Sequence, residues 1–197
     1  MSTTDPRDDQ QLVKAMNAGD DQAFDAVYWR YRDWIVRLAR RFTGNDDDAL
    51  DVLQETFAYF TRKFPGFVLR AKLTTFFYPV VKNLSIAQRK KRGRFLGDNA
   101  ALDTLAADGH VDYDHARAEL ATVLATLADG QREAVLMRFV DGMSLDEIAD
   151  ALSIPIGTVK SRLHNALETL RNDPRTREFF EMNLGGPDGT EEERRML

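Results

Sequence analysis

Cysteine is absent from the 197 residues, which removes disulfides, thiolate metal sites and cysteine nucleophiles and points to a reducing compartment. Histidine is scarce, with three in the chain; two of them, His110 and His115, are isolated in an acidic stretch without metal-ligand spacing. No run of about 18 apolar residues occurs, so no membrane span or membrane partner is expected. The start, Met1 to Gln11, is polar and acidic and has no apolar core of the kind that directs export, so a cytoplasmic chain is expected. Positive charge is not in excess either: 27 Lys and Arg face 32 Asp and Glu, a net charge of −5. The overall field therefore does not draw the chain to a polyanion, and a nucleic-acid reader in it must act locally or with help. No Ser-His-Asp set, paired-carboxylate pocket or phosphate-binding glycine loop stands out, so neither catalysis nor a cofactor or metal is expected.

What is present is helical periodicity. With 43% hydrophobic and 30% charged residues, the chain can build one large domain or two small ones of roughly 80 residues each. Phe24, Val27, Tyr28, Tyr31, Ile35, Leu38 and Phe42 recur at three and four, and Asp20 or Asp21 is placed to cap the helix they define. A shorter helix, Gln10 to Ala18, precedes it and is ended by Gly19. A third begins at Asp46 to Asp48, where negative charge suits a helix N-terminus. It carries Leu53, Phe57, Phe60 and Phe64 as its stripe, and Pro65-Gly66 stops it. Leu73 to Arg92 reads as a fourth helix in which Pro79 removes a hydrogen bond to Thr75, so a kink or a late start is expected.

These four make one helical domain over residues 8–94. From Phe95 to Ala116 the period vanishes, while Asp98, Asp103, Asp108, Asp112 and Asp114 occur without a Lys or Arg; residues 95–116 read as an acidic linker. Periodicity returns at Leu120, Val123, Leu124 and Leu127, and again at Val135, Leu136 and Phe139, giving two helices separated near Asp129-Gly130. The second domain spans residues 117–182, with Phe179 and Phe180 as candidates to close its core. A Gly-rich, charged tail, 183–197, is expected to be flexible. The fold class is all-α, two small helical domains joined by a linker.

Ser144-Leu-Asp-Glu147 is a capping box: the serine oxygen accepts from a backbone amide one turn on and the glutamate reaches back. The helix it starts is broken at Ser153-Ile154-Pro155 and followed by Ile156 to Asn172, with Val159, Leu163, Leu167 and Leu170 on one face. A turn this tight makes the two helices cross steeply, as in a helix-turn-helix. At about 100° per residue, Thr158, Lys160, Ser161, His164 and Asn165 fall away from the apolar stripe and present donors suited to base edges and phosphates. Asp146, Glu147 and Asp150 lie on the first helix, Lys160, Arg162 and Arg171 on the second, so only the second enters a groove comfortably. Periodicity alone is equally satisfied by a plain helical hairpin with a solvated face.

Resemblance separates the two readings. Arg132-Glu133, Met137-Arg138-Phe139, Gly142 to Ala149 and Ile154 to His164 together resemble region 4 of bacterial sigma factors of the extracytoplasmic-function (ECF) group. Asp48-Ala-Leu-Asp-Val-Leu-Gln-Glu-Thr-Phe57 resembles the polymerase-binding helix of sigma region 2. Leu73 to Ile86 is similar to that family's promoter-melting, minus-ten-reading segment. The resemblance implies a sigma factor that binds core RNA polymerase and directs promoter-specific initiation, with Asp48, Asp51, Gln54 and Glu55 contacting the beta-prime clamp and the rear domain on the beta flap. It implies minus-ten contacts from Asn83, from the loop Phe67 to Lys72 with Leu69 and Arg70, from Phe76, Phe77 and Tyr78 as stacking surface, and from Lys82, Arg89, Lys90, Lys91, Arg92 and Arg94 on phosphates. It implies minus-thirty-five contacts from Thr158, Lys160, Ser161, Arg162, His164 and Asn165, and an anti-sigma factor or another regulator as a further partner. Four positions depart from the pattern: Leu50 replaces an acidic residue, Phe76 a frequent tryptophan, Pro79 and Asn165 frequent arginines.

A stand-alone helix-turn-helix regulator is the alternative, but such a protein normally shows a basic footprint of its own. A helical enzyme or scaffold leaves the Asp48–Phe57 and Phe76–Asn83 matches unexplained. A small helical domain also needs most of its phenylalanines inside, which competes with their use as stacking platforms.

Overall fold

A computed structural model of the chain describes residues 5–96 and 121–176. Every regular element among them is helical, and none of the helices searched is long and apolar enough to cross a membrane. The chain divides into two bodies. The tail from residue 183, Phe179, Phe180 and all of the linker except Phe95 and Leu96 lie outside the described residues.

The front body holds α1 (Asp9–Asn17), α2 (Asp21–Thr43), α3 (Asp46–Thr61) and α4 (Leu73–Leu96). Short polar side chains start the first three. Asp8 and Gln11 bond reciprocally across the start of α1 (2.8 and 2.9 Å), Asp20 accepts from Gln22 and Ala23, and Asn45 accepts from Asp48, each satisfying amides that the helix itself leaves free. Gly44, in the left-handed region at φ 68°, turns the chain from α2 into α3. α2, α3 and α4 pack on one another and α1 lies on α2. Their inward faces bury Leu12, Val27, Ile35, Leu38, Val52, Phe60, Leu73, Phe77, Tyr78 and Val81 almost completely, each large side chain stabilising by about 1.5–3 kcal/mol.

α1 lies one residue earlier than expected, and α3 and α4 depart further from the sequence reading. α3 ends at Thr61, so Phe64 lies beyond it and packs on Phe60 and Phe67 at ring distances of 5.1 and 5.6 Å. α4 does not start late: it begins at Leu73, runs through Pro79 and extends to Leu96, past the expected domain end at 94. The reason is tertiary. The Leu73 amide donates to Asp9 Oδ2 at 3.0 Å, so α1 caps α4 across 64 residues of sequence. The same carboxylate accepts from Arg30 (3.0 Å) and from the Tyr31 hydroxyl, which fixes α1, α2 and the start of α4 to one another.

In the rear body residues 121–124 are helical, then come α5 (Asp129–Val135), a π-helical turn (Leu136–Val140), α6 (Leu145–Leu152) and α7 (Ile156–Asn172). Val123, Leu127, Ala134, Met137, Met143, Ile148, Val159, Leu163 and Ala166 form the core. The break expected near Asp129-Gly130 falls at 125–128 instead, and those two residues open α5. Arg132 explains the shift: its guanidinium donates to the carbonyls of Leu124, Ala125 and Leu127 at 2.8, 3.0 and 2.8 Å, closing the preceding turn from within α5. Phe139, expected inside, is 59% exposed, because the π turn shifts the register and sends Met137 inward.

Candidate functional site

Three surfaces collect the expected site residues. On α3 the buried line Ala49, Val52, Leu53, Thr56, Phe57 and Phe60 leaves Leu50, Asp51, Gln54 and Glu55 exposed on the opposite side. Asp48 is different. Its side chain is 14% exposed and pairs with Arg92 of α4 at 3.0 Å, and its other oxygen accepts from Gln88 at 3.3 Å. Gln88 also donates to Asp51 Oδ2 at 3.3 Å. Beside α3, Trp29 of α2 is 61% exposed; Arg32 covers its face at 5.8 Å, and its ring meets Tyr28, which meets Phe57. The sequence reading passed over Trp29, although its position off the α2 stripe was the available signal.

On α4 the residues Phe76, Asn83 and Lys90 are seven apart, two turns each, so they share a face. Asn83 and Lys90 are exposed and Phe76 is half-buried. Phe77 and Tyr78 are not on that face: both are buried in the core (0% and 1% exposed), and a ring with no accessible surface offers a base nothing to stack on. Phe76 meets Phe67 of the preceding loop at 5.0 Å and Tyr59 in a stacked arrangement at 6.1 Å, so loop and helix converge. Asn17, another residue the sequence reading missed, holds the loop: its amide accepts from Gly66 (2.6 Å) and Phe67 (3.1 Å) and donates to the Phe67 carbonyl (2.8 Å). Arg70 is exposed and Leu69 half-buried on this loop. Among the cations, Lys90 and Lys91 are exposed and Lys82 is half-buried, while Arg89 donates to the Phe42 carbonyl at 3.3 Å. Arg92, nine residues from Asn83, lies half a turn away from it and faces α3. The side chain of Arg94 falls outside the described residues.

In the rear body the capping box forms as expected, with Glu147 N to Ser144 Oγ at 3.2 Å and Ser144 N to Glu147 Oε2 at 2.6 Å. Ser153, at φ 54°, makes the left-handed turn between α6 and α7 without a glycine. α7 then buries Val159, Leu163 and Ala166 and exposes Lys160, Ser161, His164 and Asn165 on the other side, with Thr158 half-buried. The Ser161 hydroxyl donates to the Thr158 carbonyl at 3.0 Å, leaving its oxygen to accept from outside. Arg162 turns toward α5: a Cβ on Gly130 would stand 3.0 Å from its Cζ. It is therefore packed away from the other five.

Among the described residues no group of His, Asp and Glu is gathered as a metal site. Arg7 lowers Asp5 from 3.8 to about 2 by hydrogen bonding and lowers Asp20 by the same means, and Arg175 lowers Asp173.

Two family models match the chain, sigma-70 region 2 over residues 27–95 and sigma-70 region 4 over residues 117–170. Over 180 residues it is 32% identical to the ECF RNA polymerase sigma factor SigW of Bacillus subtilis strain 168, a match covering 84% of this chain and 96% of the relative. Over 176 residues it is 30% identical to the RNA polymerase sigma-H factor of Pseudomonas aeruginosa, covering 82% and 91%. Among solved structures, CnrH in complex with the cytosolic domain of CnrY shares the fold with a TM-score of 0.61 at 20% identity, over 89% of this chain and 98% of that one. The sigma factor RpoE in complex with the anti-sigma factor NepR, from Bartonella quintana, does so with a TM-score of 0.59 at 23% identity, over 82% and 99%.

Proposed function

Since the chain belongs to the ECF group of RNA polymerase sigma factors and so acts in promoter-specific transcription initiation, we propose a division of that task between its two bodies. The exposed face of α3, carried by Asp51, Gln54 and Glu55, docks on the beta-prime clamp of core RNA polymerase. The face of α4 with Phe76, Asn83 and Lys90, and the loop carrying Leu69 and Arg70, take the minus-ten element. There Asn83 addresses a base edge, Phe76 and Phe67 flank an extruded base, and Lys82, Arg89 and Lys90 supply positive charge. The face of α7 with Lys160, Ser161, His164 and Asn165 reads the minus-thirty-five element in the major groove, while the rear body rests on the beta flap. Thr158 and Arg162 back that face.

The observation that carries this reading is that region 2 and region 4 matches occur in order in one chain, each holding an exposed polar face opposite a buried stripe. Arg89 and Lys82 reach phosphates by side-chain movement, since both are half-buried. Asn165 offers an adenine two hydrogen bonds where relatives commonly present arginine, which shifts base preference. The chain performs no catalysis and needs no cofactor or metal in this reading, and it works in the cytoplasm with the polymerase. An anti-sigma protein is its proposed regulator, supported by the RpoE–NepR complex of its structural neighbour.

The test is transcription in vitro with core polymerase and genomic DNA, with start sites mapped. Initiation at a set of promoters sharing both elements is expected. Absence of any start site with core enzyme present, or tight operator binding by the chain alone, would favour a stand-alone regulator.

A further inference from the structure

Two helices with different proposed partners are joined by one short relay. Asp48 and Asp51 stand three apart on α3, and Gln88 and Arg92 stand four apart on α4, so each pair shares a helix face. Arg92 Nη1 holds Asp48 Oδ2 at 3.0 Å, and Gln88 Nε2 donates to Asp48 Oδ1 at 3.3 Å and to Asp51 Oδ2 at 3.3 Å. The two oxygens of Asp48 are thus both engaged within the body, whereas Asp51, on the exposed side of α3, has one oxygen engaged by Gln88. The α4 face that buries Leu73, Phe77, Val81 and Ser85 continues in register through Gln88 and Arg92, which carries this pair to α3 and away from the Asn83–Lys90 face.

We propose that Gln88 is a positioning residue for polymerase docking: anchored through Asp48 by Arg92, its amide fixes the Asp51 carboxylate so that the remaining oxygen faces the partner. The proposal rests on the reading of Asp51 as a docking residue. Asp48 is then the base of the relay rather than a contact. A short carboxylate side chain on an exposed helix face otherwise samples several rotamers, and holding one of them lowers the ordering cost of binding. Polymerase affinity consequently depends on a residue of the promoter-reading helix that does not itself touch the polymerase.

The test is a double-mutant cycle on the affinity of the full chain for core RNA polymerase, read by competition against a labelled chain. Gln88→Leu keeps the size and removes the donor, and its affinity should be about two- to tenfold weaker, the range of one hydrogen bond. In an Asp51→Ala background the same change should have no further effect, while in a Glu55→Ala background it should keep its full effect. Gln88→Lys, which restores a donor, should recover affinity, and thermal melts of all variants should coincide. Should Gln88→Leu lower the melting temperature, Gln88→Lys in the two backgrounds supplies the comparison: a donor-dependent gain confined to chains with Asp51 supports the relay. Equal loss from Gln88→Leu with and without Asp51, or no loss with Asp51 present, overturns it. If Asp51→Ala alone leaves affinity unchanged, the docking reading itself fails.

Discussion

Phe76 and Phe77 stand about 100° apart around α4, and that angle assigns them opposite work. Phe77 has no exposed surface and its ring meets Tyr31, Phe57 and Phe60, so truncation to alanine leaves a cavity the surrounding rings cannot fill. Phe77→Ala should lower stability by about 3–5 kcal/mol in denaturant unfolding. Phe76, half-buried, should lose less stability as alanine and instead fail in open-complex formation, by about 1–3 kcal/mol if a base stacks there. Equal stability losses with normal promoter opening by Phe76→Ala would return Phe76 to the core. The sequence blurred this pair because the kink or late start expected from Pro79 obscured the run Leu73, Phe77, Val81, Ser85, which at intervals of four marks the inward face. On α7 Val159 and Leu163 of the expected stripe are buried and set the register, but Ala166 joins them while the expected Leu167 and Leu170 are half-buried. Lys160→Ala should weaken binding at the upstream element by about 1–3 kcal/mol if it reads a base. The measurement is affinity across promoters altered at single minus-thirty-five positions, and a loss uniform over all of them demotes Lys160 to a phosphate contact.

Elements were legible to the extent that their ends are set locally. Ser144 and Glu147 are three residues apart, so α6 starts where the sequence places it, whereas α1 starts at Asp9, one residue before the expected Gln10, under a reciprocal Asp8–Gln11 cap that the sequence reading did not use. α4 and α5 do not follow that rule, because Asp9 caps one from another helix and Arg132 closes the turn before the other. The joint between the N-terminal segment and α2 is held by charge. Arg7 pairs with Asp5 at 2.7 Å and with Asp20, the cap of α2, at 2.8 Å. Both carboxyl groups lie below their ordinary range, Asp5 at about 2. A carboxylate depressed in the folded state contributes fully above its unfolded value of 3.8, and that contribution is lost as pH falls toward about 2. The melting-temperature gap between the wild type and Arg7→Gln should therefore hold constant above about pH 5 and narrow below about pH 4. A gap that widened in acid would mean that Arg7 acts through something other than these carboxylates. Added salt should shrink the gap at neutral pH, because the pairs are partly exposed and screened.

For the molecule as a whole, the order of the two bodies was readable because each motif lies within one stretch of chain, whereas Asn17 and Gln88 gain their places only when distant segments pack together. Net charge is the property that neither body sets alone. At −5, the average field opposes the approach of the chain to promoter phosphates, whichever exposed cations meet them. Promoter selection must then borrow favourable free energy from the polymerase, and docking and DNA binding become linked equilibria whose coupling is reciprocal. The free chain should accordingly show negligible promoter affinity at physiological salt, with specific binding appearing once core enzyme is added. Asp51→Ala combined with Glu55→Ala should remove association with core polymerase while leaving helical content and thermal melting unchanged, since both side chains lie on the exposed side of α3. Promoter binding by that double variant should vanish even with core enzyme in excess. If the variant instead fails to associate and yet binds the promoter by itself, the linkage is absent and the DNA-reading faces suffice alone.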